Sequence, residues 1–411
     1  MAVQMSIRPG VLPVLVIGAG PVGMTSALAL RAEGLPVTVL EAGPDGRERP
    51  GSRAIFYHRQ TLQHWEAMSP GLGWRISDAG LVWNTKRTFW GERQVYERTY
   101  QPQVVTELPH STNLAQVDAE RLMFEACKQA GVEFVWSAEV AGVSAGPDEV
   151  VVTTADGTDR RAQYVVAADG ARSVVREAAG MTLEGNRSAN SFIIVDVLED
   201  AERPLRPERV YYYEHPAVGR RNVLLVPFAG GWRADLQLRP DDDADRFNEP
   251  AAVARWVARV LPEKYADRIS WISTYRFLQV IASSFTDAHR RVLLVGEAAH
   301  LFAPFGARGL NSGVPDAAEA AAAISAALRT AIPAEAAGAI DAFAERRKAA
   351  AAYNREAAGL ALAHMQADSI ATRWKRRAAA SAAIIGQRAG SWLDSSPYGP
   401  RAAERGTEAI Y

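Results

Sequence analysis

The chain has 411 residues, which is long for one hydrophobic core, so we expect two or three domains. Its formal net charge of −1 argues against a nucleic-acid-binding protein. The single cysteine, Cys127, excludes an intramolecular disulfide and is typical of a reducing compartment, so we expect a cytoplasmic protein. We find no apolar run as long as a membrane span and no signal-peptide pattern.

The first pattern is a βαβ unit at residues 14–41. An apolar strand leads into Gly18, Gly20 and Gly23 in GxGxxG spacing, and a helix and a second strand follow, ending at Glu41. Gly18 would allow a tight turn, Gly20 the approach of a pyrophosphate, and Gly23 close helix–strand packing. Glu41 would accept hydrogen bonds from a ribose. The unit predicts a dinucleotide site without saying which dinucleotide it holds.

The next elements alternate between helix and sheet. Residues 53–68 predict a helix that begins near Arg53. Residues 73–110 have aromatic and β-branched residues around turns and predict antiparallel hairpins. Residues 113–131 predict a second helix, for which Asp118 is a candidate N-cap.

The second half contains a region of a different character. Residues 182–290 have mostly period-two patterns, which predict an antiparallel sheet with one helix that starts near Pro250. A buried strand then returns, followed by a glycine loop and an alanine-rich helix from about Pro315 to Arg329. The tail that follows is helical in pattern. One domain is therefore interrupted by another.

Two further motifs follow buried strands. In the first, Asp169 and Gly170 end a strand, and Ser173 can cap the next helix. In the second, Gly296 and Glu297 end a strand and lead into a loop and a helix N-terminus at residues 304–311. Such an arrangement can hold a polyol chain and a flat ring, and the helix dipole would favour negative charge on that ring.

The three motifs, in this order and spacing, resemble those of the FAD-dependent aromatic hydroxylases of the para-hydroxybenzoate hydroxylase fold, over roughly residues 12–330. The resemblance implies an α/β fold. A Rossmann-like FAD-binding domain (1–72, 101–181 and 291–335) would be interrupted by an antiparallel β-sheet substrate domain (73–100 and 182–290). A helical C-terminal segment (336–411) would follow.

The resemblance also implies the cofactor contacts. The residues that match the family's FAD-contacting positions are Gly18, Gly20, Gly23, Glu41, Arg53, Gln116, Asp169, Gly170, Glu297, Pro304, Gly309, Leu310 and Asn311. Asp169 and Gly170 match a motif implicated in both FAD and NAD(P)H binding. Two positions depart from the family pattern. Glu297 stands where the family usually has Asp, and Ala307 stands where it prefers Gly, so we expect that part of the loop to follow a different path.

The implied reaction is a monooxygenation. NADPH or NADH would reduce FAD, O₂ would form a flavin C4a-hydroperoxide, and one oxygen atom would pass to a phenolic or polyketide-like ring. A base near a phenol hydroxyl would help. Tyr211 and Tyr213, which share one face of a strand, are candidates, with Tyr212 and His215 beside them; the alternative is that they only pack on the sheet. Arg308 is a candidate for attracting an anionic substrate or a nicotinamide phosphate.

Other readings remain open. Within the same fold they are a flavin-dependent halogenase, a reductase that does not activate O₂, and a non-catalytic flavin-binding partner or sensor. The Trp-x-Trp-x-Ile-Pro halogenase signature is absent. No cluster has metal-ligand spacing, so we expect no metal.

We expect a small aromatic substrate and O₂ as partners, a monomer or homodimer, and no nucleic acid. The basic stretch at residues 373–377 predicts a surface helix packed on the first domain, with membrane contact as the alternative.

Overall fold

The computed structural model describes residues 8, 10–46, 53–101 and 104–399. The strands in this part of the chain are β1 (Leu12–Ile17), β2 (Val37–Leu40), β3 (Phe56–His58), β4 (Thr85–Trp90), β5 (Arg93–Thr99), β6 (Ser111–Asn113), β7 (Glu133–Val135), β8 (Val140–Ala145), β9 (Val150–Thr154), β10 (Asp159–Ala167), β11 (Leu183–Leu198), β12 (Glu208–His215), β13 (Arg221–Phe228), β14 (Gly231–Gln237), β15 (Ile269–Ala282), β16 (Val292–Leu294) and β17 (His300–Leu301). The α-helices are α1 (Pro21–Ala32), α2 (Arg59–Met68), α3 (Leu72–Ala79), α4 (Gln116–Gln129), α5 (Val174–Ala178), α6 (Ala244–Asn248), α7 (Pro250–Val260), α8 (Arg308–Arg329), α9 (Pro333–Gln366), α10 (Ile370–Ala382) and α11 (Gln387–Ser395).

The first sheet has seven strands in the order β7-β2-β1-β10-β9-β8, with β16 paired to β10. Strands β7, β2, β1, β10 and β16 are parallel, so their carboxyl ends lie at one edge. Val14, Leu15 and Val16 are fully buried, because helices cover the sheet. Helix α1 packs against α4 and α8. This confirms the Rossmann-like domain.

The second sheet has eight strands in the order β17-β15-β11-β14-β13-β12-β4-β5. One of its faces packs against α7 through a core that includes Trp232, Val253 and Trp256. The other face carries Phe192, Tyr211, Tyr213 and Phe277, and we call it the inner face. The prediction of a wholly antiparallel sheet is wrong at one pair, since β4 joins β12 in parallel. The β4–β5 hairpin comes from the early segment and extends the sheet at that edge.

Several predicted helix boundaries are wrong. Residues 72–79 form α3 and not part of a hairpin. Helix α2 begins at Arg59, six residues after Arg53, because residues 56–58 first pair with β6 as a short strand. The N-cap of α4 is Ala115, and Asp118 lies in the first turn.

Two predicted starts of helices have opposite outcomes. Helix α8 begins at Arg308 and contains Pro315 in its interior, so its predicted start near Pro315 is wrong. Proline lacks an N–H, but it interrupts only one helical hydrogen bond, and the buried helix continues. Pro250 does start α7 as predicted, at a position where its missing N–H costs nothing.

Helices α10 and α11 of the tail lie against the second sheet, so the prediction that the basic helix at residues 373–377 packs on the first domain is wrong. The preceding helix α9 does pack against α8 of the first domain. Helix α11 contacts β4 and β5. Arg376 of α10 is buried, with its guanidinium 5.5 Å from the Trp90 ring and 4.8 Å from the Tyr213 ring. Among the described residues, no helix is long and apolar enough to cross a membrane.

A buried carboxylate joins α8 to its surroundings. Asp316 is fully buried and accepts hydrogen bonds from the Gly296 N–H at 3.0 Å and from Arg347 Nε at 2.7 Å, and it lies 2.6 Å from His300 Nε2. Burial alone would raise the pKa of Asp316, but the charges of Arg347 and His300 hold it below its usual value. One side chain therefore links a strand end, β17, α8 and α9.

Replacing Asp316 with Asn should lower the free energy of unfolding by about 3 kcal/mol, because the buried Arg347 would lose its fully buried carboxylate partner and keep only Glu319, at 3.0 Å. Urea denaturation would measure the loss. Asp341→Asn is the control, since the Arg290–Asp341 pair is half-exposed and should contribute at most about 1 kcal/mol. Equal effects of the two changes would contradict this account of the network.

Candidate functional site

The predicted motifs meet at the carboxyl edge of the first sheet. The Gly18 N–H donates to the Leu40 carbonyl at 2.8 Å, and the Ala168 N–H donates to the Ile17 carbonyl at 2.9 Å. Gly18, Glu41 and Asp169 therefore follow three adjacent strands. Gly296 follows a fourth strand, β16, which is parallel to β10. Ligands of open α/β sheets bind at such an edge.

The glycines make the first turn compact. Gly18 has φ of +98°, and a Cβ atom there would lie 2.5 Å from the Ala168 carbonyl oxygen. A Cβ atom on Gly23 would lie 1.8 Å from the Gly18 carbonyl oxygen. Gly20 is the N-cap of α1, and no side chain caps that helix end. The backbone is thus close-packed below the turn, and the helix N-terminus is a site suited to an anion.

Glu41 is buried at the end of β2. One carboxylate oxygen accepts a hydrogen bond from the Ala19 N–H at 2.8 Å, and the other accepts one from the Gly43 N–H at 2.9 Å. These bonds fix the carboxylate beside the glycine turn, and the ribose contact of Glu41 stays a prediction.

Asp169 has one satisfied and one unsatisfied oxygen. Its Oδ2 accepts a hydrogen bond from the Val175 N–H at 3.1 Å, whereas the buried Oδ1 has no partner among the described residues. Burial raises the pKa of Asp169. Gly170 turns the chain with φ of +83°, and Ser173 caps α5 by accepting from the Arg176 N–H at 2.9 Å, as predicted.

The glycine loop at residues 304–307 lies between β17 and α8, and residues 308–311 form the first turn of α8. Pro304 is exposed, and Gly309 and Leu310 are half-buried in the first turn of α8. Ala307 adopts the left-handed conformation, with φ of +56°. Ala307 thus takes up the conformation that usually favours Gly, and the different path of the loop stays a prediction. Glu297 is exposed next to this loop.

Two residues of the first turn of α8 are held by protein contacts. Arg308 is buried and donates to Asn354 Oδ1 at 2.8 Å and to the Tyr398 carbonyl at 3.2 Å. This burial contradicts the predicted position of Arg308 as a cation facing a substrate. Asn311 accepts hydrogen bonds from the His58 N–H and Thr61 Oγ1, so its side-chain oxygen already anchors the loop.

Gln116 lies beside the segment that contains Arg53. Gln116 Oε1 accepts a hydrogen bond from the Ala54 N–H at 3.2 Å. Arg53 has φ of +38° and an exposed side chain, and its carbonyl accepts a hydrogen bond from Arg233 on β14. The second sheet thus contacts the segment that was predicted to bind the flavin.

The tyrosines of β12 divide between the two faces as predicted. The rings of Tyr211 and Tyr213 lie 4.7 Å apart on the inner face. Tyr212 is on the opposite face, stacked on Phe89 at 4.8 Å, and His215 contacts it edge-on.

Tyr211 and Tyr213 differ in their hydrogen bonds. The Tyr213 hydroxyl donates to the Leu393 carbonyl at 2.6 Å and lies 2.8 Å from His364 Nε2. The buried Tyr211 hydroxyl has no partner within the described ranges. Burial raises the pKa of both hydroxyls, which are therefore hydrogen-bond donors and poor bases at neutral pH. The prediction that either acts as the base has no support in this geometry.

Sequence reasoning missed Asp235 of β14. It lies on the inner face, in register with Leu224 on one side and Ile194 on the other. Strand alternation around Arg233 could have put Asp235 on that face, but nothing in the sequence indicates that it lacks a partner.

Comparison with known proteins gives one family. The sequence model described as FAD binding domain matches residues 11–357. The 6-methylpretetramide 4-monooxygenase of Streptomyces rimosus is 29% identical over 313 residues, which is 74% of this chain and 54% of that protein. The 3-(3-hydroxy-phenyl)propionate/3-hydroxycinnamic acid hydroxylase of Mycolicibacterium gilvum is 29% identical over 312 residues, 74% of this chain and 52% of that protein. The chain spans about half the length of these relatives.

Solved structures share the fold. The p-nitrophenol 4-monooxygenase PnpA of Pseudomonas putida has a TM-score of 0.76 at 24% identity, covering 95% of this chain and 99% of that one. The flavin-dependent monooxygenase PieE, solved in complex with FAD and substrate, has a TM-score of 0.73 at 21% identity. The match covers 97% of this chain and 75% of that one.

Replacing Gly23 with Ala should push α1 away from the glycine turn, because the new methyl group would overlap the Gly18 carbonyl. We expect a loss of about 1–3 kcal/mol in stability and weaker dinucleotide binding. Thermal unfolding and equilibrium titration with FAD would measure both effects. The control is Gly338→Ala in α9, where no atom lies within 4 Å of the added Cβ and helix propensity predicts a gain of up to about 1 kcal/mol. Unchanged FAD binding in the Gly23 variant would contradict the close packing.

Proposed function

This chain belongs to the family described as FAD binding domain. We propose that it is a monooxygenase that inserts one oxygen atom of O₂ into an aromatic substrate, with NADH or NADPH as reductant. The proposal rests on one observation: the inner face of the second sheet contacts the Arg53 segment and the glycine loop, and it carries polar atoms that have no partner among the described residues. When bound, reduced FAD supplies the activation of O₂.

The residues at the cofactor edge fit FAD. The tight Gly18 turn leaves no Cβ atom in the way of a pyrophosphate, and the uncapped N-terminus of α1 favours its charge. Glu41 would hold the adenosine ribose. The unsatisfied Asp169 Oδ1 would hold a hydroxyl, because a buried acceptor without a donor is costly unless a ligand supplies one. Gly309 and Leu310, in the first turn of α8, would offer N–H groups to the ring.

Two contacts support a substrate site between the sheets. At one end, Arg233 of the inner face donates to the Arg53 carbonyl. At the other end, the ring of Phe192 lies 5.5 Å from that of Phe305 in the glycine loop. The inner face between these contacts would orient a flat substrate against the flavin and exclude water from it.

The tyrosines and Arg308 would have different roles. Tyr211 would donate its free hydroxyl to an oxygen atom of the substrate, because burial keeps it protonated. Tyr213 would fix the inner face to the tail through Leu393. Arg308 would hold the loop from below through Asn354 and would not meet an anionic substrate.

The wider organisation is part of the same proposal. The two separate sheets support the division at residues 100, 181, 290 and 335. They do not support the boundary at residue 72, since α3 (Leu72–Ala79) packs against α2 and α4 in the core of the first domain. Residues 1–7, 9, 47–52, 102–103 and 400–411 lie outside the described residues. We keep the expectation of a cytoplasmic monomer or homodimer, which the single cysteine supports for the compartment.

The purified protein should contain FAD, and phenols should accelerate its oxidation of NADPH or NADH under air. An ¹⁸O₂ experiment should place one labelled oxygen atom in the product. Bound FAD that neither nicotinamide reduces would contradict the proposed reductant and indicate a separate reductase or a sensor. Reduction by a nicotinamide without labelled product from any phenol would favour a reductase.

Tyr211→Phe should lower kcat/KM for a phenol by about 3–10-fold, through the loss of one hydrogen bond. Its stability should be unchanged or slightly higher, since the variant removes a buried hydroxyl that has no partner. Steady-state kinetics and urea denaturation test the two parts. Tyr212→Phe, on the opposite face, is the matched control and should retain normal kinetics. A kinetic loss shared by both variants would argue against substrate contact by Tyr211.

A further inference from the structure

Asp235 occupies the centre of the inner face. It pairs in register with Leu224 of β13 and Ile194 of β11. Arg233, two residues before Asp235, donates to the Arg53 carbonyl. Gln237, two residues after Asp235, is in register with Phe192, and the Phe192 ring contacts the ring of Phe305. Because side chains at i and i+2 share a face, Asp235 points into the space between these two contacts.

The carboxylate of Asp235 has no hydrogen-bond partner in the described part of the chain, and its Oδ1 is buried. A neighbouring acid on the same face has a different environment. Asp196 accepts hydrogen bonds from Arg233 Nε at 2.9 Å and from Arg233 Nη2 at 3.2 Å. A buried carboxylate without a donor is destabilising, so its presence calls for a ligand that supplies one.

The side chains around Asp235 suit an ionising ligand. Tyr211, two strands away in the same row, carries an unpartnered hydroxyl donor. Arg209, two residues before Tyr211 on β12, is buried on the same face. Its Nη1 makes no hydrogen bond within the described residues, and the nearest carboxylate oxygen, of Asp394, lies 3.9 Å away. A proton acceptor, a neutral donor and a cation therefore share one face.

We propose that Asp235 is the base that accepts the hydroxyl proton of a phenolic substrate, which rests on the monooxygenase function proposed above. The O–H bond of the phenol breaks, its proton forms a bond to the carboxylate, and the electron pair stays on the phenolate oxygen. That oxygen then accepts a hydrogen bond from Tyr211. Asp235 returns its proton to water after product release. Overall, the phenol, O₂, NAD(P)H and one proton give the dihydroxy product, NAD(P)⁺ and water.

The electrostatics support this role. Burial raises the pKa of Asp235 to about 7, with Asp196 raising it further and Arg233 and Arg209 lowering it. Phenols ordinarily ionise near pH 10, as tyrosine does. An acid that ionises near neutral pH is a much stronger base than an ordinary aspartate, and it is still deprotonated in a useful fraction of molecules.

The first test uses the FAD-loaded enzyme and phenols of graded acidity. For a weakly acidic phenol, Asp235→Asn should lower kcat by about 100-fold and remove the inflection near pH 7 from the profile of kcat/KM. For a nitro- or halogen-substituted phenol that is already ionised, the loss should be within about threefold, since no base is needed. Asp241→Asn, an exposed acid in the loop after β14, is the control and should behave like the wild type.

Each other outcome overturns the inference. A variant that keeps the wild-type rate and inflection would exclude Asp235 as the base while leaving the monooxygenase function intact. An equal loss for weakly acidic and ionised phenols would exclude proton acceptance. A wild-type enzyme that no phenol stimulates would overturn the proposed function and this inference together.

A second measurement needs no substrate. Because the pKa of Asp235 is raised in the folded protein, its protonation stabilises the fold. This stabilisation is complete below about pH 4 and is lost as the pH rises through about 7. Asparagine does not titrate. The melting temperature of Asp235→Asn, relative to the wild type, should therefore rise between pH 4 and pH 8. A difference that does not change with pH would show that the carboxylate is not held in the environment that the inference requires.

Discussion

The buried carboxylate of Asp316 is the contact on which the cofactor edge depends. It binds the Gly296 N–H and Arg347 and lies against His300, so a strand end, β17 and α9 are all tied to α8. The loop that follows is fixed at its other end by Asn311, which binds β3 and α2. A loop held at both ends needs little reorganisation when a flat ring binds beside it, and preorganised donors are more effective than mobile ones.

The second sheet uses its two faces for different purposes. On the face opposite the inner face, Trp232 packs against Trp256 and Val253 of α7, and these residues form a hydrophobic core. The inner face also carries buried polar atoms, and within the described ranges the Tyr211 hydroxyl and Asp235 Oδ1 have no hydrogen-bond partner. Groups of this kind reduce stability unless something binds them. Such groups on the face that meets the cofactor edge are the expected signature of a binding surface, since a ligand can satisfy there what the protein leaves open.

Local sequence patterns predicted where the residues of the proposed cofactor site lie. Contacts between distant parts of the chain determine the environment of the residues predicted to meet the substrate. The glycine turn, Glu41 and Asp169 each follow a strand, so strand ends could be read from the sequence and parallel pairing brought them together. Strand alternation also separated Tyr212 from its neighbours. Tyr213 and Arg308 are held by hydrogen bonds to the tail. The Tyr213 hydroxyl binds Leu393, and the Arg308 guanidinium binds Asn354. No periodicity encodes such contacts, so a burial that removed both residues from the surface could not be foreseen.

The contrast between Asp196 and Asp235 shows how one surface can hold two carboxylates for different tasks. Asp196 is paired with Arg233, and that arginine also donates to the Arg53 carbonyl. The pair therefore fixes the second sheet to the segment at Arg53. Because the Arg233 guanidinium is directed at Asp196, the charge of Asp235 is compensated only at longer range, and burial dominates its pKa. Environments that separate two nearby acids in this way commonly divide structural from proton-transfer roles. Burial thus outweighs the lowering effect of Arg233 on the pKa of Asp235, whereas the same arginine binds Asp196 directly.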